Sequence, residues 1–198
     1  MQRKVFDILA SAGGALVTVV LVVAGALLMW GYSFANSNVH DQLAMQQIYF
    51  PSKAAMAQAK AGTEITPGML PYIEQYAGQQ VLTGAQAEAY ANHFIAVHLS
   101  EMPYGGVYSA VSNASRANPN NATLKAEVQT VFQGTTLRGL LLEAYAFGTF
   151  ATIALWAGIA SFILAFLMAL LTGFGIWHAR RVPAEKELLS PQHQAAIA

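Results

Sequence analysis

The sequence predicts an all-α membrane protein in which two transmembrane helices extend into an extracytoplasmic antiparallel helical bundle. The chain of 198 residues is 55% hydrophobic and only 10% charged, which is too apolar for an ordinary soluble domain of this length. Two long segments carry no charge at all. The polar segment between them shows helical start and stop signals and almost no strand signals.

The totals of charge and cysteine exclude several classes of function. Ten basic residues balance ten acidic ones, so net charge gives no attraction to nucleic acid, and we expect no nucleic-acid partner. Cysteine is absent, which removes disulfides, thiolate catalysis and cysteine-based metal centres. A domain of roughly 100 residues without disulfides must be held together by packing alone.

The first predicted span, residues 8–32, begins with an uncharged run of 23 residues from Ile8 to Trp30. At about 1.5 Å per residue this run is long enough for a hydrocarbon core of roughly 30 Å. Trp30 and Tyr32 lie where an aromatic interface belt is expected. A competing interpretation is a signal peptide cleaved after Ala35, although the apolar run exceeds the ~7–15 residues of a signal core.

The second span belongs to residues 144–177, where the uncharged run from Tyr145 to Trp177 covers 33 residues. A helix of that length measures roughly 50 Å, more than one crossing requires. We therefore assign the bilayer portion to residues 152–175 and a stalk to the residues before it.

Basic residues near both spans predict the orientation. Arg3 and Lys4 precede the first span, and Arg180, Arg181 and Lys186 follow the second. Because such residues are retained in the cytoplasm, the tails at 1–7 and 178–198 should be cytoplasmic. The segment 33–143 should then lie on the extracytoplasmic side of a bacterial plasma membrane.

Several helices are predicted within the segment 33–143. The first span should continue outward until Pro51, with Val39, Leu43, Gln46 or Gln47, and Phe50 on one face. Residues 51–67 should be a connection. A short helix should follow that presents Met69, Ile73 and Tyr76 or Ala77 and ends at Gly78.

The second half of this segment opens with Thr83-Gly84-Ala85-Gln86, which has the spacing of a capping box. The helix from Thr83 to Pro103 should bury a stripe formed by Ala87, Tyr90 or Ala91, Phe94, Val97 or His98, and Glu101. A turn at Gly105-Gly106 and a helix over 107–116 should come next. A last helix should start near Asn121 or Thr123, with Leu124, Val128, and Val131 or Phe132 on one face, and should kink or break at Gly134.

Four segments of the chain are distinctive: HDQLAMQQIYFP at 40–51, QYAGQQVLTGAQAEAYANHFIAVHL at 75–99, VQTVFQGTTLRGLLLEAYAFG at 128–148 and IALW at 153–156. They resemble a family of uncharacterised two-span integral membrane proteins of actinobacteria. Together they cover about a third of the chain. The resemblance implies a bacterial plasma membrane and supplies no activity.

The residues with metal-binding chemistry in the middle of the chain are His93, His98 and Glu101. His93 and His98 are five residues apart, which separates them by about 140° around a helix, whereas two helical ligands need a spacing of four. We therefore predict no metal site and a partly buried, hydrogen-bonded histidine. His40-Asp41 could sense pH or contact a headgroup, although a solvated helix face is the simpler interpretation.

A charged pair and a set of small residues each allow more than one interpretation. Arg138 and Glu143 could pair with each other, pair with a partner chain, or anchor the helix as surface charges. Small residues four apart allow close approach of helix backbones, either between the two spans or with another subunit. The pairs are Ala10 with Gly14, Ala154 with Gly158, and Ala157 with Ser161.

The sequence contains no catalytic, phosphate-binding or dinucleotide-binding motif, and neither span contains an ionisable residue or a histidine. We therefore predict no enzyme, no catalytic, cofactor-binding or metal-ligating residues, and no cofactor. The leading hypothesis is a non-catalytic accessory or scaffold subunit that contacts the lipid bilayer and other membrane-protein subunits or a second copy of itself. The alternative is an extracytoplasmic ligand-sensing module, with a lipid or cell-wall enzyme third.

Overall fold

The structure, a computed structural model, describes residues 3–181 and residue 183. All regular elements in this part of the chain are helical, as predicted. Most of the predicted C-terminal tail, with Lys186, lies outside the described residues. The α-helices are α1 (Arg3–Gln46), α2 (Lys53–Met56), α3 (Leu70–Ile73), α4 (Gly84–Tyr90), α5 (Ala96–Glu101), α6 (Tyr108–Ala117) and α7 (Ala122–Arg181).

The chain divides into two compact units. Of the described residues, 3–32, 153–181 and 183 belong to the first, which we call the helix-pair unit, and residues 33–152 form the second, the central unit. The helix-pair unit therefore contains the N-terminal part of α1 and the C-terminal part of α7. The central unit contains the remainder of both helices and α2 to α6.

The two helices of the helix-pair unit pack antiparallel along a line of small residues. A Cβ added to Gly14 would lie 2.4 Å from Thr172 Oγ1, and one added to Gly158 would lie 3.1 Å from Met29 Sδ. A Cβ added to Gly25 would lie 3.0 Å from Phe162 Cε1. The partly or fully buried positions alternate in steps of three and four, which is the spacing of a coiled-coil interface: Ser11, Gly14, Thr18, Leu21, Gly25 and Leu28 in α1, and Gly158, Ser161, Ala165, Met168, Thr172 and Gly175 in α7.

The outer surface of the helix-pair unit is almost entirely apolar. Leu16, Trp30 and Phe174 are each about two-thirds exposed. By length and composition, both helices could cross a membrane. In the most apolar 18-residue stretch of each helix, only 6% of the residues in α1 and 11% of those in α7 are buried. Large apolar side chains therefore surround a contact line made mostly of small ones.

The core of the central unit includes most of the residues predicted to be buried at its start. Val39, Leu43 and Phe50 are at most 7% exposed. The predicted helix end at Pro51 was wrong, because α1 stops at Gln46. Gln47 adopts a left-handed conformation, and the Gln80 amide donates to the Ala44 carbonyl at 2.8 Å, so a distant side chain caps the helix before the proline is reached.

The segment that follows α1 is more ordered than the connection that was predicted for residues 51–67. An isolated antiparallel bridge joins Tyr49 and Gln80. The predicted connection 51–67 contains α2 and buries Met56 and Ile65. Met69 and Ile73 are fully buried in and just before α3, as predicted.

The capping box at Thr83 is present, since Gln86 N donates to Thr83 Oγ1 at 3.2 Å and Thr83 N donates to Gln86 Oε1 at 3.1 Å. The predicted stripe after it is only partly right. Residues 91–95 form a π-helical turn, which changes the register. Ala87, Ala91 and Ile95 are buried, whereas Phe94 and Val97 are only partly buried and Glu101 is exposed.

The remaining helices follow the prediction with one exception. The helix α6 and the start of α7 lie where they were expected, and Val131 is fully buried. The predicted break at Gly134 is absent, because α7 is unbroken from 122 to 181. A Cβ on Gly134 would lie 2.8 Å from Leu99 Cδ2, so the glycine serves close packing rather than a break.

The turn at 103–106 provides a stability test. Gly105 and Gly106 both have positive φ, but a Cβ on Gly106 would lie 2.1 Å from the Leu99 carbonyl oxygen, and one on Gly105 meets nothing within 4 Å. We expect Gly106→Ala to lower the unfolding free energy by about 3 kcal/mol or more, and Gly105→Ala by only about 1 kcal/mol. Thermal unfolding of the full chain in one detergent measures both. Equal losses would contradict the assigned clash.

Candidate functional site

The central unit contains a surface groove between residues 34–46 of α1 and 140–147 of α7. Its volume is about 470 Å³. We call it the central groove. It is lined by Phe34, Ala35, Asn38, Val39, Gln42, Leu43 and Gln46 from α1, and by Leu140, Glu143, Ala144 and Phe147 from α7.

The central groove combines an apolar wall with few polar groups. Phe34, Leu140 and Phe147 are each more than half exposed, and Glu143 is the one charged residue among those lining the groove. This arrangement suits an elongated apolar group that ends in, or is interrupted by, a cation.

Three amide side chains add hydrogen-bonding capacity to the same groove. Asn38, Gln42 and Gln46 are spaced four residues apart on α1, and a spacing of four places residues on one helix face. This regular spacing is visible in the sequence and could have revealed the groove, although our sequence analysis did not use it. Glu143 was singled out as a partner for Arg138, as a partner for another chain, or as a surface charge.

Arg138 does not pair with Glu143. Its Nη2 donates to Asn92 Oδ1 at 2.8 Å, and the Asn92 amide donates to Glu88 Oε1, also at 2.8 Å. Arg138 and Glu143 are five residues apart, so the helix directs them about 140° from each other. The pairing within α7 considered above was wrong, and Arg138 instead joins α7 to the segment 84–95.

His93 and His98 are both held by contacts within the central unit. His98 Nδ1 donates to the Phe94 carbonyl at 2.7 Å, and its Nε2 is buried with no hydrogen-bond partner. His93 stacks on Tyr72 with a centroid distance of 3.5 Å. The prediction of a partly buried, hydrogen-bonded histidine is confirmed for His98. Among residues 3–181 and 183, no three His, Cys, Asp or Glu side chains are grouped to hold a metal ion.

The other sequence candidates lie apart from the central groove. His40 and Asp41 are exposed, as a solvated helix face predicts, and His40 Nδ1 lies 3.2 Å from Asp41 Oδ1. Gly14 and Gly158 lie in the contact line of the helix-pair unit, which supports packing of the two helices on each other. Ala10 is exposed and takes no part in it.

No family model, curated protein or solved structure matches this chain. The resemblance to uncharacterised actinobacterial membrane proteins therefore stays a prediction.

An aromatic cluster beneath the surface of the central unit contains a tyrosine with a perturbed acidity. The Tyr90 ring lies 5.3 Å from Phe50 and 4.8 Å from Phe94. Burial raises the pKa of the Tyr90 hydroxyl, and the Glu64 carboxylate raises it further. The folded state therefore holds this proton more tightly than the unfolded state does.

This shift predicts how stability depends on alkaline pH. The stabilisation is complete below the unfolded tyrosine pKa of about 10 and is lost as pH rises through the higher folded value. We expect Tyr90→Phe to lose less stability than the wild type above about pH 10. Thermal unfolding as a function of pH measures this, with Tyr104→Phe, at an exposed position, as the matched control. Superimposable wild-type and Tyr90→Phe profiles would contradict the assignment.

Proposed function

We propose that the protein is a non-catalytic accessory or scaffold subunit of a bacterial plasma-membrane assembly. The observation that carries this proposal is the apolar outer surface of the helix-pair unit, where Leu, Val, Phe and Trp side chains face outward. In water such a surface would drive aggregation. In lipid it needs no cover, and helices satisfy their own backbone hydrogen bonds there.

The charges at one end of the helix-pair unit support the proposed orientation. Because α1 and α7 are antiparallel there, Arg3 and Lys4 lie at the same end as Arg180 and Arg181. Because cations beside a span are usually retained in the cytoplasm, they support a cytoplasmic location for both termini. The spans 8–32 and 152–175 then cross the bilayer, and the segment 33–143 is extracytoplasmic.

Helix length supports the same placement. The 44 residues of α1 and 60 residues of α7 correspond to roughly 66 Å and 90 Å, well beyond a hydrocarbon core of about 30 Å. The remainder of each helix is the part that belongs to the central unit. A membrane anchor and an exposed binding surface are therefore built from the same two helices.

We assign the central groove to a segment of a partner subunit. Its apolar lining favours Leu, Ile or Phe side chains, and Glu143 favours a segment that also carries a Lys or Arg. A carboxylate at the edge of an apolar contact contributes mainly to partner choice and association rate. Asn38, Gln42 and Gln46 supply hydrogen bonds to the backbone or side chains of that segment.

A ligand-sensing module is the second candidate, and the same groove favours it. A volume of about 470 Å³ lies within the range of small-molecule sites. The ligand would be a small amphiphile whose cationic end meets Glu143. The two candidates differ in whether the groove is filled by a protein that copurifies.

Copurification tests the proposed function. The tagged full chain is isolated in mild detergent from the bacterium that encodes it, and partners are quantified by mass spectrometry. We expect a stoichiometric membrane-protein partner, and about tenfold less of it with Glu143→Lys, because the substitution places like charges together. Glu101→Lys, at an exposed position outside the groove, should recover the partner normally.

A chain that purifies alone contradicts the accessory role directly. Equal loss of partner with Glu143→Lys and Glu101→Lys contradicts the assignment of the central groove to that partner. The sensing role is then tested with decyltrimethylammonium as the probe. A rise in unfolding temperature for the wild type that Glu143→Gln abolishes would favour ligand sensing, because a ligand stabilises the state that binds it.

A further inference from the structure

The helix-pair unit contains a second groove, at the end where its basic residues lie. Its volume is about 520 Å³, and we call it the basic groove. It lies between the first turns of α1 and the last turns of α7. The groove is lined by Lys4, Ile8, Ser11, Ala12, Ala15, Ile176, Ala179 and Arg180.

The depth of the basic groove comes from small side chains. Ser11 and Ala179 are buried where the helices touch, and a Cβ on Gly175 would lie only 2.5 Å from Ser11 Oγ. Ala12 and Ala15 extend the groove along α1. From Lys4 to Ala15 the helix rises roughly 16 Å. The groove is therefore elongated along α1, and we call its apolar part the channel.

The mouth of the basic groove is positively charged. Lys4 approaches it from α1 and Arg180 from α7, and within the described part of the chain no carboxylate lies within 4 Å of either cation. The nearby acidic residue, Asp7, contacts His178 Nδ1 at 3.0 Å and is not among the lining residues. Both cations therefore line the groove without a carboxylate partner among the described residues.

The other cations at this end have different surroundings. The Arg181 guanidinium lies over the Trp177 ring, 4.2 Å from its centroid, and neither Arg181 nor Arg3 lines the groove. The two pairs of basic residues therefore differ in position while having the same formal charge. This difference provides a matched control for any charge effect.

We propose that the basic groove binds one anionic phospholipid. Its phosphate lies between Lys4 and Arg180, and an acyl chain lies against Ile8, Ala12 and Ala15. Charge complementarity selects the headgroup, since the phosphodiester brings one negative charge to two cations from different helices, whereas a zwitterionic headgroup would add a third cation beside them. The apolar channel selects a lipid over a free anion. This inference rests on the membrane insertion proposed above, and it identifies one lipid that contacts both spans directly.

Native mass spectrometry of the full chain from mixed micelles tests the proposal. The micelles contain dioleoyl phosphatidylglycerol or dioleoyl phosphatidylcholine at the same mole fraction. We expect a single retained phosphatidylglycerol, and much less retained phosphatidylcholine. At roughly fivefold for each cation, the double variant Lys4→Gln/Arg180→Gln should bind phosphatidylglycerol about 25-fold more weakly.

Two further variants separate a built site from general attraction. Arg3→Gln/Arg181→Gln removes the same formal charge outside the groove and should retain the lipid. Ala12→Leu fills the channel from an exposed position and should lower retention of phosphatidylglycerol without removing charge. Inorganic phosphate at the lipid's concentration should neither bind nor compete.

The outcomes distinguish this proposal from the membrane placement on which it rests. Equal loss in the two double variants, no preference for phosphatidylglycerol, or full retention by Ala12→Leu would each overturn the lipid site while leaving membrane insertion intact. A chain that stays soluble and monodisperse once detergent is removed would overturn both.

Discussion

The close antiparallel packing of two long helices along a line of small residues is the constraint on which the rest of the structure depends. Gly14, Gly25, Gly158 and Gly175 each bring a backbone against a side chain of the opposite helix. Small residues on the inner face leave the large apolar ones outside. A helix pair of this kind leaves its large apolar side chains exposed, and this exposed surface is the basis of the membrane insertion proposed above.

The central unit is organised differently, since it buries Leu43, Met69 and Ile73 in a core and uses polar groups to end and join its helices. Gln80 caps α1, the Thr83 and Gln86 pair caps α4, and Asn92 joins Arg138 to Glu88. These contacts replace the disulfides that a chain without cysteine cannot form. The proposed partner surface and the proposed lipid site follow the same division: a carboxylate with amides in one unit, and paired cations in the other.

The periodic parts of the fold could be predicted from the sequence, and the parts set by distant contacts could not. The apolar runs, the capping box at Thr83 and the core positions Leu43 and Ile73 depend on local spacing and were found. The end of α1 depends on Gln80, and the register after Ala91 depends on a π-helical turn, neither of which is a local signal. Gly134 was mistaken for a weak point because its contact with Leu99 lies 35 positions away in the sequence.

Single-cysteine labelling tests the membrane placement most directly, because the chain has no native cysteine. Asn120→Cys reports on the segment 33–143, and Ser190→Cys on the C-terminal tail, which lies outside the described residues. In intact spheroplasts a membrane-impermeant maleimide should label Asn120→Cys at once, and Ser190→Cys only after permeabilisation. Labelling of both before permeabilisation, or of Ser190→Cys alone, would contradict two spans with their basic ends in the cytoplasm.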